Sequence, residues 1–197
     1  MSCAAEDSAH RRSTHRVLAS DGTALSATQW RGPRVDHTIV FLHGLCLNAT
    51  TWNAQIDATL DKFGPNTRVV AYDHRGHGFS GSAAVSSYTV DQLASDLEAV
   101  LSSLDVSGPV TLVGHSLGGM TALAYVCGPA RSHTVSGLVL VATAAGNLTA
   151  MGPGRLLKLP GINVLAAGFG RLPNLASRGA AHGLCSLLRR LGAGASA

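Results

Sequence analysis

The 197-residue chain has no Asp or Glu after Asp105. Its eleven carboxylates all lie up to that point, among eight basic residues, whereas Val106 to Ala197 holds seven basic residues and no acid. The second half therefore has no carboxylate to offer any chemistry. Cysteine is sparse and unpatterned: Cys3, Cys46, Cys127 and Cys185 form no CxxC pair and no Cys/His metal spacing. This argues against a disulfide-stapled fold and a zinc site, and leads us to expect mostly buried thiols in a reducing compartment, the cytoplasm. Long apolar runs are missing too. Those around Val110–Val113 and Leu138–Ala145 fall far short of the roughly 20 residues of a membrane span. Met1 to Arg12 carries no apolar signal-peptide core. The basic residues of the tail are dispersed without interleaved aromatics, so nucleic acid is not an expected partner. No internal repeat is visible. What remains is 46% apolar and 13% charged residues with a mean hydropathy of +0.22, enough for one domain with a buried core.

Residues 1–15 read as a flexible leader. Arg16–Leu18 and Ala24–Trp30, joined through Asp21-Gly22, suggest a hairpin with a tight two-residue turn. The runs TIVFL (Thr38–Leu42), RVVAY (Arg68–Tyr72), VTLV (Val110–Val113) and SGLVLV (Ser136–Val141) fit strands buried on both faces. Between them, Trp52, Ile56 and Leu60 mark a helix stopped by Gly64-Pro65. Thr89 to Gln92 has capping-box spacing before the stripe Leu93, Leu97, Val100, Leu101 and Leu104. Leu117–Cys127 reads as a helix with Met120, Leu123 and Ala124 inward. Buried strands alternating with helices indicate an α/β fold with a mostly parallel sheet and crossover helices. Beyond Thr143 the rhythm changes; Leu184, Leu187, Leu188 and Leu191 share one helical face within a cap-like segment, 144–197, that ends in a frayed tail.

Three segments carry chemistry. Gly114-His115-Ser116-Leu117-Gly118 follows VTLV and opens a helix, matching G-x-S-x-G. That spacing places a serine on a sharp strand-to-helix turn, where the flanking glycines allow strand and helix to approach closely. The helix N-terminus beside it favours developing negative charge. Phe41-Leu42-His43-Gly44-Leu45 follows TIVFL, where a second backbone N–H is positioned to serve an oxyanion. Asp73-His74-Arg75-Gly76-His77-Gly78-Phe79-Ser80 follows RVVAY and reads as a rigid charged turn, with Asp73, His74, Arg75 and His77 as scaffold. An all-metal site of His43, His74 and His77 lacks carboxylate or cysteine partners in metal spacing, so neither metal nor cofactor is expected.

In this order and separation the three segments resemble the α/β-hydrolase superfamily, in its esterase/lipase-like and non-haem haloperoxidase-like branch, over about Arg16 to Thr143. The resemblance implies Ser116 as nucleophile and the N–H groups of Leu45 and Leu117 as oxyanion hole, with hydrolase or perhydrolase chemistry on a small apolar ester-like substrate. Serine at the tip departs from the epoxide-hydrolase and haloalkane-dehalogenase branches, which place Asp there. The segment from Ala144 to Leu191 stands where such proteins insert a helical cap. The family order is Ser, acid, His, but no acid follows Ser116. His133 precedes a strand at the opposite sheet edge, leaving His182 as the candidate base. The expectation is a C-terminally incomplete hydrolase fold without its last strands, with an unpaired edge open to homo-oligomers. Two alternatives stand beside it: a non-catalytic binding protein of the same fold, and a chain completed in trans by a partner.

Overall fold

A computed structural model describes residues 10–129 and 131–144. Among the described residues six strands form one sheet: β1 (Arg11–Leu18), β2 (Ala24–Arg31), β3 (His37–Leu42), β4 (Thr67–Tyr72), β5 (Val110–His115) and β6 (Val135–Val141). Their spatial order is β1-β2-β4-β3-β5-β6. The first two pairings, β1 with β2 and β2 with β4, are antiparallel; the other three are parallel. Three helices provide the crossovers: α1 (Asn53–Phe63), α2 (Val90–Ser103) and α3 (Leu117–Cys127).

Period-two alternation sorts the strands' side chains onto two faces. Val40, Leu42, Val70, Tyr72 and Leu112 face α2 and α3, where they pack with Leu97, Val100, Leu101 and Tyr125. Phe41, Val69 and Ala71 point the other way, onto Trp52 and Ile56 of the α1 side. The expected helix stripes are present: Ile56 is buried in α1, and Leu93, Leu97, Val100 and Leu101 in α2. Thr89 caps α2 by accepting from the Gln92 N–H at 3.2 Å. The Gln92 amide does not complete a capping box; its Nε2 donates to Asp96 Oδ1 instead, at 3.3 Å.

Several expectations need correction. Strand β1 begins at Arg11, with Arg11 registered against Arg31, so ladder pairing extends into residues read as leader. The hairpin loop has five residues, 19–23, rather than a two-residue turn. Asp21 Oδ1 takes the Thr23 N–H at 3.0 Å, a local side-chain bond that shapes the loop alongside the bond from the Ala19 N–H to the Thr23 carbonyl at 2.9 Å. In α3 the fully buried residues are Gly118, Gly119, Thr121, Ala122 and Tyr125; of the three expected inward, Ala124 packs against the core while only partly buried, and Met120 and Leu123 are half-buried. The close glycine contacts described below rotate the helix so that its smallest face meets the sheet. Strand β6 is not buried on both faces: Leu138, Val139, Leu140 and Val141 are exposed, and among the described residues β6 is an edge strand paired only with β5. Cys127 is exposed and Cys46 half-buried, contrary to the buried thiols expected. The cap-like segment and its leucine stripe lie outside the described residues. A groove of about 690 Å³ lies between α1 and the strands, lined by Ile39, Phe41, Phe63, Val113 and Val139. It reaches His37, Thr67 and Thr111 at the N-terminal ends of the strands, away from the strand ends that carry the motifs.

Candidate active site

All three motif segments leave the sheet at the C-terminal ends of adjacent strands β4, β3 and β5, the edge where ligands of open α/β sheets bind. Ser116 stands between β5 and α3 with φ 50° and ψ −111°, a conformation that costs a non-glycine residue about 1–3 kcal/mol. Its surroundings hold it there. The Ser116 N–H donates to the Val141 carbonyl at 2.9 Å, and the Thr143 hydroxyl donates to the Ser116 carbonyl at 2.7 Å.

The motif glycines are required by contact. A Cβ on Gly114 would stand 2.5 Å from Gly119 Cα, and one on Gly118 would stand 2.2 Å from the Leu42 carbonyl oxygen. Gly118 thus lets α3 press against the chain leaving β3, which brings the serine turn and the His43–Leu45 segment together. Gly118→Ala should destabilise the fold by about 3 kcal/mol through overpacking against backbone; urea unfolding followed by circular dichroism would measure it.

The His43–Leu45 segment is clamped from both sides. On one side the His115 ring lies against Gly44, 2.6 Å from where a Cβ would be. On the other stands the turn after β4. His43 is fully buried; its Nε2 accepts from the His74 N–H at 2.9 Å, so the proton resides on Nδ1, which donates to the Gly44 carbonyl at 2.8 Å. His77 has the same tautomer, with Nδ1 donating to the Arg75 carbonyl at 2.9 Å and Nε2 accepting from the Cys46 N–H at 3.2 Å. Burial, reinforced by the neighbouring imidazoles His74 and His77, pushes the His43 pKa well below the ordinary imidazole value. Burial likewise lowers His77 and brings His74 to about 3. All three rings are neutral at pH 7.

The turn itself is rigid. Arg75 is fully buried; its Nε and Nη2 reach both oxygens of Asp96 at 2.7 and 2.6 Å, and its Nη1 reaches Asp21 at 2.7 Å and Ser87 at 2.9 Å. The carboxylate of Asp73 accepts the N–H groups of Ala49 at 2.7 Å and Phe79 at 2.8 Å. It fills the space a Gly78 side chain would need, and Gly78 has φ +51°. Every ring nitrogen of His43 and His77 is taken by backbone, and no cluster of three or more potential metal ligands occurs among the described residues.

Leu45 is exposed at 40%. No acceptor among the described residues engages the N–H groups of Leu45 and Leu117, and no described side chain hydrogen-bonds Ser116 Oγ. His133 stands at the far edge, before β6, where its Nδ1 lies 3.3 Å from Glu98. Glu98 also accepts from Tyr125 at 2.6 Å and from Ser102 at 2.8 Å. Burial opposes its charge, but the hydrogen bonds from Ser132, Tyr125 and Ser102 outweigh it and hold the carboxyl at about 2. This cluster had no signal in the sequence, because only the fold brings α2 and α3 beside the approach to β6. His182 lies outside the described residues.

Strand order, a strand–serine–helix turn at the sheet's C-terminal edge and a glycine-lined loop beside it define an α/β-hydrolase architecture. Residues 37–191 match the family described as alpha/beta hydrolase fold, and the chain belongs to that family. It is 38% identical over 110 residues to a non-heme chloroperoxidase of Streptomyces lividans, and 39% identical over 110 residues to a bifunctional esterase/perhydrolase of Acinetobacter calcoaceticus. Each match covers 56% of this chain and 38% of the relative, so the chain spans well under half the length of these relatives. A putative aryl esterase from Burkholderia cenocepacia superposes with a TM-score of 0.59 at 32% identity, covering 67% of this chain and 47% of that one.

Proposed function

We propose that this hydrolase acts on carboxylic esters with apolar acyl groups, with Ser116 as nucleophile and the N–H groups of Leu45 and Leu117 as oxyanion donors. The observation that carries the reading is the Ser116 backbone, held at positive φ on the tip between β5 and α3. The names of the esterase and esterase/perhydrolase relatives support it. In the reaction, Ser116 Oγ bonds to the ester carbonyl carbon as a base takes the hydroxyl proton, and the carbonyl oxygen gains charge opposite the two amides. Collapse expels the alcohol, which takes up that proton, and water then releases the acid from the acyl-enzyme. His182 is our candidate for the base. The absence of Asp and Glu after Asp105 leaves its orienting acid unassigned.

The exposed residues Leu138–Val141 on β6, an edge strand among the described residues, favour a second reading, in which another chain pairs with that strand and completes the site, since an unpaired strand edge invites pairing. A cytoplasmic setting suits the unpatterned cysteines. No helix of the described residues is long and apolar enough to cross a membrane.

The test is intact mass after exposure to a fluorophosphonate, which labels a serine activated by a base and an oxyanion hole. We expect one adduct per chain, lost in Ser116→Ala. Labelling that appears only in an oligomer would support completion in trans. A folded chain that takes no label would mean a hydrolase fold that binds without turnover.

A further inference from the structure

The turn after β4 leaves one arrangement that the proposed chemistry does not yet use. Leu45 is flanked by two imidazole contacts: His43 Nδ1–H holds the carbonyl of Gly44, and His77 Nε2 holds the N–H of Cys46. In a trans peptide the Gly44 carbonyl and the Leu45 N–H point in opposite directions, so anchoring one aims the other. The second contact fixes the next peptide. Cys46 has φ 61°, a conformation unfavourable for a side-chain-bearing residue, and the His77 acceptor meets its amide there.

His77 is itself immobilised. Its Nδ1–H is spent on the Arg75 carbonyl, and the Arg75 side chain is locked by Asp96, Asp21 and Ser87. Gly76 and Gly78, at φ +72° and +51°, fold the turn tightly enough to present the ring. A third link, from the Ala49 N–H to Asp73 Oδ1 at 2.7 Å, ties the far end of the loop to the same turn.

We propose that His77 is a positioning residue: its neutral Nε2 grips the Cys46 amide and, with His43, sets the direction of the Leu45 N–H that stabilises the oxyanion. This rests on the assignment of Leu45 as an oxyanion donor to Ser116. His77 touches no substrate; it acts through the loop backbone. The contact needs a hydrogen-bond acceptor at the end of the side chain, and an imidazole whose Nδ1 proton is already bonded supplies one.

The experiment compares His77→Leu, which fills the space without an acceptor, with His77→Gln, whose Oε1 reaches about as far as Nε2. Two readouts are taken on the full chain: the second-order rate of fluorophosphonate labelling at Ser116, and hydrogen exchange of the Cys46 amide by two-dimensional NMR. Circular dichroism melts identify any variant that fails to fold. Removing one oxyanion donor costs about 10²–10³-fold, so misaligning one should slow labelling by about 10- to 100-fold in His77→Leu. His77→Gln should recover to within about threefold. The Cys46 amide should lose exchange protection in the leucine variant and keep it in the glutamine variant.

Labelling of folded His77→Leu at the rate of the unmodified chain overturns the proposal, as does equal slowing of both folded variants. If the unmodified chain takes no label, the Ser116 assignment fails separately, and the amide readout alone decides the loop contact. Unchanged Cys46 protection in His77→Leu then overturns it. If His77→Leu does not fold, the glutamine variant decides: labelling slowed about 10-fold or more with protection lost overturns the proposal, and retention of both supports it.

Discussion

Replacing Arg75 with methionine should lower the unfolding free energy by about 3–5 kcal/mol, the cost of leaving a buried charge without its partner. The guanidinium and the Asp96 carboxylate are both fully buried and joined at 2.6 and 2.7 Å. Without Arg75, the partner left to Asp96 among the described residues is Gln92 Nε2 at 3.3 Å. Asp21, whose carboxyl the hydrogen bond from Arg75 holds far below the carboxylate range, would lose that partner as well. A domain is ordinarily stable by about 5–15 kcal/mol, so this one change would remove a large part of the margin. Urea unfolding gives the measurement, and a cycle with Asp96→Leu separates the cost of an orphaned charge from the worth of the pair. Because an apolar replacement of a whole buried pair is often neutral, Arg75→Met/Asp96→Leu should be more stable than Arg75→Met alone. If Arg75→Met unfolds within about 1 kcal/mol of the unmodified chain, Arg75 does not organise the turn after β4.

Acid should destabilise the chain steeply below about pH 6.5. His43, His74 and His77 are neutral in the fold, their pKa values lowered chiefly by burial, and they take up protons at ordinary values once unfolded. A depressed imidazole pKa means the unfolded chain binds more protons between the two values, so stability rises with pH through that window and falls on acidification. Each such histidine contributes up to about 1.4 kcal/mol per pH unit. Asp73 titrates in the opposite sense, since burial raises its carboxyl pKa, but it is one group against three. The expected loss is at least about 2 kcal/mol between pH 6.5 and 4.5, read from unfolding curves across that range. His74→Phe, which keeps an aromatic ring tilted against His43 and edge-on to Tyr72, should flatten the slope by about one proton. A slope unchanged by that substitution would mean the buried ring at 74 is not among the groups that drive it.

The pattern of residues determined much of this molecule by itself. Apolar runs of four to six between helical stripes identify parallel strands because such strands are covered on both faces; β4 is buried throughout, while β3 and β5 leave residues such as Ile39 and Val113 half-buried beside the α1 groove. The spacing Gly114-x-Ser116-x-Gly118 determined the serine turn, since the close contacts of Gly114 and Gly118 exclude a Cβ. Local pattern failed where a residue's environment depends on distant chain. The stripe assigned to α3 held only for Ala124, because glycine contacts with β3 and β5 set the helix rotation. β6 looked buried by composition, but its exposure depends on which elements cover it. His77 read as scaffold in the sequence, and His43 was weighed only as a metal ligand without suitable partners. Only the tertiary structure, by stacking their turns 31 residues apart, decided which ring nitrogen carries the proton and which backbone amide each ring holds. A tautomer is set by hydrogen-bond partners brought from elsewhere in the chain, and no local spacing encodes that.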